Sequence, residues 1–229
     1  MTAAAVIVAG GEGARMQAGK NKVFIEIAGR SILERSLALF ESTPQVSDVV
    51  VVARALDVTT CAALKARFLK LSRVVPGGDV RHRSEFAGIQ ALAGDIDAGR
   101  IDTVLVHDAV RPFASQQLVE RLLAGLGHSV GCIPGLPVTP TTVLTEDGRI
   151  AGYPTNLWAV QTPQVFQATW LLEAHNRAAR KGFVGTDTAS VVEWAGGDVR
   201  VIEGEANNIK ITTPDDVARA KEIAAALGH

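Results

Sequence analysis

Four short segments hold the residues whose types and spacing could do chemistry, and each carries at least one cation. The first is Ala9-Gly10-Gly11-Glu12-Gly13-Ala14-Arg15-Met16, with Lys20 and Lys22 close behind. Glycines let backbone N–H groups approach a phosphate closely, and Arg15 adds a charged fork. The segment is not a dinucleotide fingerprint, because the sixth position from Gly11 is Met16, and no Gly-Lys-Ser/Thr stands where a P-loop needs it. Glycines with several cations suit a polyphosphate. The second segment, Gly77-Gly78-Asp79-Val80-Arg81-His82-Arg83-Ser84, repeats that chemistry, with Ser84 expected to cap a helix and to contact the ligand. The third, Val106-His107-Asp108-Ala109-Val110-Arg111-Pro112-Phe113, offers a carboxylate suited to hold Mg²⁺ between phosphates, and Arg111 for a second anion. His107 reads as a hydrogen-bonded, partly buried residue rather than a catalytic base. The fourth, Asn208-Ile209-Lys210-Ile211-Thr212-Thr213-Pro214-Asp215, puts a lysine just before a helix start.

The elements that must position these segments follow from hydrophobic runs and their punctuation. Ala3 to Ala9, Val49 to Val52, Val74–Val75, Thr103 to Val106, Val130 to Ile133 and Val199 to Ile202 read as buried strands. Helices are expected from the Ser31/Glu34 capping box to about Glu41, at Cys61 to Leu71, Ser84 to Leu92, Gln116 to Leu126, Ala168 to Arg180 and Thr188 to Trp194, and after Thr213-Pro214. Strands alternating with helices imply crossovers and a mostly parallel twisted sheet flanked by helices, with ligands beyond the carboxyl ends of the strands. Residues 1–229 read as a single domain. Prolines 134, 137, 140 and 154 break the pattern, and the stretch at about 134–160 is expected to project as a β-arm, with a hairpin of Thr142–Leu144 and Arg149–Ala151. A thin hairpin cannot bury a face alone, which points to a partner subunit.

Composition limits the function. Twenty-three Lys plus Arg against 24 Asp plus Glu leave a net charge of −1, which argues against nucleic acid or a membrane surface as partner. The hydrophobic share of 47% excludes a disordered chain, and aromatics at 5% fit an aliphatic α/β core. Cys61 and Cys132 are too few and too distant for a disulfide scaffold or metal cage and read as buried thiols. The N-terminus shows no secretory pattern, so a cytoplasmic location is expected.

Taken together the segments resemble one family, the 2-C-methyl-D-erythritol 4-phosphate cytidylyltransferases, with the related ribitol-5-phosphate cytidylyltransferases. The resemblance runs through the first segment, Lys22, Gly77 to Ser84, His107 to Pro112, Gln161-Thr162-Pro163-Gln164, Thr186-Asp187 and Asn208 to Thr213. It implies a Rossmann-like α/β nucleotidyltransferase fold and a homodimer built by the arm. It implies further that Ala9, Gly11, Gly13, Gly78, Asp79 and Ser84 hold CTP, with Gly10, Arg81, Asp108 and Ala109 completing the nucleotide set. Arg15, Lys22 and Lys210 become the catalytic cations, and Asp108 the carboxylate near Mg²⁺ or another divalent cation. Arg111, Thr141 from the partner's arm, Thr186 and Asp187 would hold the polyol phosphate. The chemistry fits without a general base: a phosphate monoester, with a second pKa near 6, is already a dianionic nucleophile at neutral pH. Two anions must meet, so catalysis is positioning plus cations.

The chain departs from the family pattern in places. Asn21 stands before Lys22 where proline is usual, which predicts a less rigid loop. Pro154 occupies the place of the arm arginine, Pro140-Thr141 replaces the usual Asp-Thr, and Asn207 replaces another polar family position. The expected acceptor is 2-C-methyl-D-erythritol 4-phosphate. The alternative acceptor, ribitol 5-phosphate or another polyol phosphate, draws on the Gly10-Gly11 pair and on His107 to Phe113. A third reading is a nucleotide-binding module with weak or no transfer.

Overall fold

In the computed structural model, residues 2–10 and 21–228 are described. In chain order the elements are β1 (Ala3–Ala9), β2 (Glu26–Ile27), β3 (Arg30–Ser31), α1 (Ile32–Ser42), β4 (Val46–Ala53), α2 (Val58–Ala63), β5 (Leu71–Pro76), α3 (Arg81–Gln90), α4 (Ala93–Asp97) and β6 (Thr103–Asp108). They continue with α5 (Gln116–Leu126), β7 (Gly131–Pro137), β8 (Leu144–Glu146), β9 (Arg149–Gly152), β10 (Trp158–Val160), β11 (Gln164–Gln167), α6 (Ala168–Lys181), α7 (Thr188–Trp194), β12 (Val199–Glu203) and α8 (Pro214–Ala226). The main sheet runs β10-β7-β11-β6-β1-β4-β5, with β12 against β7. Its centre is parallel, β6 with β1, β1 with β4 and β4 with β5.

The unbroken apolar strands are explained by burial on both faces. Along β1, Ala3, Ala5, Ile7 and Ala9 face one core while Ala4 and Val6 face the other; β4 splits Val49 and Val51 from Val50 and Val52 in the same way. Leu33, Leu37 and Phe40 of α1, Leu118 and Leu122 of α5 and Ala220 of α8 close the first face. Ile89, Ile96, Leu171, Val191 and Val192, from α3, α4, α6 and α7, close the second. At roughly 1.5–3 kcal/mol for each fully buried aliphatic side chain, these two layers hold the strand ends in a fixed register. Cys61 and Cys132 lie in the core, both 0% exposed.

Several elements differ from expectation. The Cys61 to Leu71 helix is shorter and earlier: α2 passes into a 3-10 turn at Leu64–Ala66, and Leu71 already belongs to β5. The strand expected at Val130 to Ile133 runs on to Pro137, because proline removes only a donor and the Pro134 carbonyl still accepts from Gln161 N–H at 2.8 Å. Antiparallel β11, between β6 and β7, is too short a run to read from the sequence. The arm hairpin is β8–β9, shifted by two residues at its first strand, with Leu144, Ile150, Tyr153, Trp158 and Val160 exposed on and around it. Among the described residues no helix is long and apolar enough to cross a membrane.

Candidate active site

A cavity of about 740 Å³ opens at the carboxyl ends of the parallel strands. Val8 to Gly10 reach it from β1, Arg54 to Leu56 from β4, Gly77 and Gly78 from β5, and Asp108 and Val110 from β6. Lys22, Arg81, Ser84, Lys210 and Thr212 complete its walls. The helix α3 forms one wall because Gly88 lets it lie directly on the sheet: a Cβ there would strike Val6, and would stand 2.7 Å from Val52 Cγ2. Ser84 is not the cap of α3. Val80 takes that position without a side-chain bond, and Ser84 sits within the first turn, its Oγ accepting from Gly78 N–H at 3.2 Å and so fixing the glycine loop.

An alternating row of charges crosses the cavity floor. Arg81 donates Nε to Asp108 Oδ1 at 3.0 Å, with its Nη2 at 2.9 Å from the same oxygen, while Lys210 Nζ lies 2.8 Å from Oδ2. Burial works against a charge on Asp108, but Arg81 and Lys210 beside it hold the carboxyl well below the usual carboxylate range. On its other side Arg81 ion-pairs with Glu85, which is 0% exposed and accepts from Thr188 Oγ1 at 2.8 Å. Burial pushes Glu85 up to about 7 even with Arg81 adjacent.

His107 is turned away from this chemistry. It is 0% exposed, its Nδ1 3.1 Å from Thr162 Oγ1 and its Nε2 3.2 Å from the Arg111 carbonyl. Thr162 Oγ1 already accepts from Asp108 N–H at 3.0 Å, so its own proton goes to Nδ1, and the ring carries its proton on Nε2 to donate to Arg111. Burial lowers its pKa to about 4, so the ring is neutral at neutral pH. It is a structural brace between β6 and the Gln161-Thr162-Pro163-Gln164 turn, and more deeply buried than the sequence suggests.

Asn21 is anchored rather than slack. It is 2% exposed, donates Nδ2 to Asp57 Oδ2 at 2.9 Å and to the Ala9 carbonyl at 3.2 Å, and accepts from Val23 N–H at 3.3 Å to cap the 3-10 turn Lys22–Phe24. Asp57 is tied in turn to Arg54 at 2.6 Å. At this residue the expectation of a looser chain is corrected: side-chain hydrogen bonds do what proline would do by fixing φ.

A cavity of this shape, at the ends of a parallel sheet and lined by glycine backbone and cations, suits a nucleoside triphosphate. The sequence profile described as 2-C-methyl-D-erythritol 4-phosphate cytidylyltransferase matches residues 3–226. The chain belongs to that cytidylyltransferase family. The curated Bacillus licheniformis 2-C-methyl-D-erythritol 4-phosphate cytidylyltransferase is 42% identical over 222 residues, 95% of this chain and 94% of its own length. Among solved structures, 4-diphosphocytidyl-2C-methyl-D-erythritol synthase from Anaerococcus prevotii superposes with a TM-score of 0.84 at 28% identity, covering 100% of this chain and 96% of the other. The Thermus thermophilus enzyme named for the same cytidylyltransferase gives 0.75 at 32% identity over 98% and 100%.

Within this cytidylyltransferase the expected residues divide into three groups. Ala9, Gly10, Lys22, Gly78, Asp79, Arg81, Ser84, Asp108 and Lys210 all line the one cavity. Gly11, Gly13 and Arg15 fall outside the described residues. The rest stand apart from the cavity lining. Ala109 is buried behind it, bonded through its N–H to the Val8 carbonyl and through its carbonyl to Ser36 Oγ, both at 3.0 Å. Arg111 holds the carbonyls of Asn208 at 2.8 Å and Val160 at 3.2 Å, bracing the base of the arm. Thr141 is exposed on the arm, and Asp187 caps α7 with Thr186 beside it. Sequence reasoning missed Arg54 and Leu56 on the cavity wall and Glu85 behind it, and named Thr212 and Asn21 without giving either a place at the site. For Glu85 the only available signal was its i+4 spacing from Arg81.

Proposed function

We propose that this chain transfers CMP from CTP to 2-C-methyl-D-erythritol 4-phosphate and releases pyrophosphate, a step of isoprenoid precursor biosynthesis. The observation that carries the reading is the gathering of Lys22, Arg81, Lys210 and the glycine backbones around one cavity within a chain of this family. An oxygen of the acceptor's phosphate dianion forms a bond to the α-phosphorus of CTP as the bond from that phosphorus to the β-bridging oxygen breaks, its electron pair leaving with pyrophosphate. The acceptor needs no base, and His107 is buried, neutral and committed to two bonds. Lys22, with Arg15 on the neighbouring segment, offsets charge growing at the α-phosphate, and Lys210 orients the attacking phosphate.

Asp108 fits a divalent cation: it is an oxygen ligand that stays ionised, at a strand end beside the cavity, and Mg²⁺ commonly takes one or two carboxylates with the rest from substrate and water. When bound, such an ion would neutralise triphosphate charge. Dimerisation through the arm is supported by its exposed apolar side chains, Leu144, Ile150, Tyr153 and Trp158, which the hairpin cannot bury itself. Arg111 and the partner's Thr141 would then meet the acceptor, with Thr186 and Asp187 nearby.

The absence of an arginine between Arg149 and Gln161 favours one second reading, transfer to ribitol 5-phosphate, in which the acceptor's phosphate is held differently. Incubation with CTP, Mg²⁺ and 2-C-methyl-D-erythritol 4-phosphate should release pyrophosphate stoichiometrically with a cytidine diphosphate ester. Tight CTP binding with no release from any polyol phosphate would instead identify a binding module.

A further inference from the structure

Both oxygens of Asp108 carry cations, Arg81 at Oδ1 and Lys210 at Oδ2. For Asp108 to turn to a triphosphate and its divalent cation, these side chains must give ground, because like charges crowd at one carboxylate. Lys210, with 41% of its side chain exposed on a flexible stem, can swing toward phosphate oxygens. Arg81 is more enclosed, at 27%, and lies along α3. Its far edge is already ion-paired with Glu85, Arg81 Nη1 against Oε1, while the buried Oε2 of Glu85 makes no hydrogen bond. A carboxylate oxygen left open in the interior is costly. Thr188 Oγ1, from the first turn of α7, steadies Oε1 and leaves Oε2 available.

We propose that Glu85 is a positioning residue for nucleotide binding, the seat that keeps the Arg81 guanidinium on the cavity wall as Asp108 turns to the incoming triphosphate and its cation. This rests on the CTP reading above. Seated on Glu85 through Nη1, Arg81 stays on the cavity wall and presents Nε and Nη2 to phosphate oxygens. Without Glu85, Arg81 leans on Asp108 and competes there with the divalent cation.

The test is CTP binding by calorimetry, with and without Mg²⁺, for the parent protein and for Glu85→Gln, which keeps an acceptor for Thr188 and the side-chain volume. With Mg²⁺ the variant should bind CTP about tenfold more weakly, about 1.4 kcal/mol, and without Mg²⁺ within about twofold of the parent. In an Arg81→Ala background, Glu85→Gln should add nothing. Thr188→Val, which frees Glu85 while keeping both charges, should show the same magnesium-dependent loss at smaller size, and covers the case in which Glu85→Gln fails to fold. Equal losses with and without Mg²⁺, no loss at all, or a loss that persists without Arg81 would overturn the proposal while leaving the CTP reading intact. A parent protein that binds no CTP would overturn both.

Discussion

Asn21→Ala tests how Lys22 is held in place. The substitution deletes the bond to the Asp57 carboxylate at 2.9 Å, the bond to the Ala9 carbonyl at 3.2 Å and the cap on Val23 N–H at 3.3 Å. A hydrogen bond to a charged group contributes about 1.5–3 kcal/mol and a neutral one about 0.5–1.5, so the loss of one charged and two neutral bonds should be roughly 2.5 to 6 kcal/mol. For a chain of this size that lowers Tm by roughly 5 to 24 °C. Because Asn21 adjoins Lys22 and ties its turn to the end of β1 and to the turn after β4, turnover should fall more than CTP affinity. Asn21→Pro separates the two effects. Its observed φ of −63° is one proline adopts, so turnover should stay nearer the parent while the stability loss remains. Differential scanning calorimetry and steady-state pyrophosphate release measure both. A Tm for Asn21→Ala within about 2 °C of the parent would refute the reasoning, since the polar latch would then contribute less than about 1 kcal/mol.

Other outcomes follow from the same geometry. Lys22→Ala should lower turnover far more than CTP affinity, compared through kcat and calorimetric Kd; equal losses would show that Lys22 only binds. Burial lowers the pKa of His107 to about 4 and of His175 to about 3, against an ordinary value of 6.5. The unfolded chain therefore takes these protons first, and stability that is full above pH 6.5 is lost as pH falls toward 4, at up to about 1.4 kcal/mol per pH unit for each group. His175, stacked against His82 and Phe86 with both ring nitrogens unpartnered, makes the clean test. Urea unfolding at pH 7 and pH 5 should show a smaller acid loss for His175→Leu than for the parent, and coincident losses would contradict the assignment.

Much of the parallel core was legible because its strands are buried on both faces and so read as uninterrupted runs: Ala3–Ala9 matches β1 residue for residue. Helices with strong caps were equally clear, as at Ser31 with Glu34 and at Thr213 with Asp216. Illegible were elements defined by partners distant in sequence. The four residues of β11 gain their meaning only between β6 and β7, and β7 passes through two prolines that normally signal a break. In the site, glycines and cations after strands pointed to the cavity. Arg54 and Leu56 lie on it because a loop turns inward, and Asn21 and Glu85 look like surface polar residues until their burial is seen. Ala109 and Arg111 belong to the right motif, and the backbone turn after β6 also gives them bracing bonds that the sequence does not show.

The most direct test of the central claim is the ratio of kcat/KM for 2-C-methyl-D-erythritol 4-phosphate to that for ribitol 5-phosphate, with CTP and Mg²⁺ held constant. A strong preference for the methylerythritol phosphate is predicted. Turnover of ribitol 5-phosphate with none of 2-C-methyl-D-erythritol 4-phosphate would contradict it.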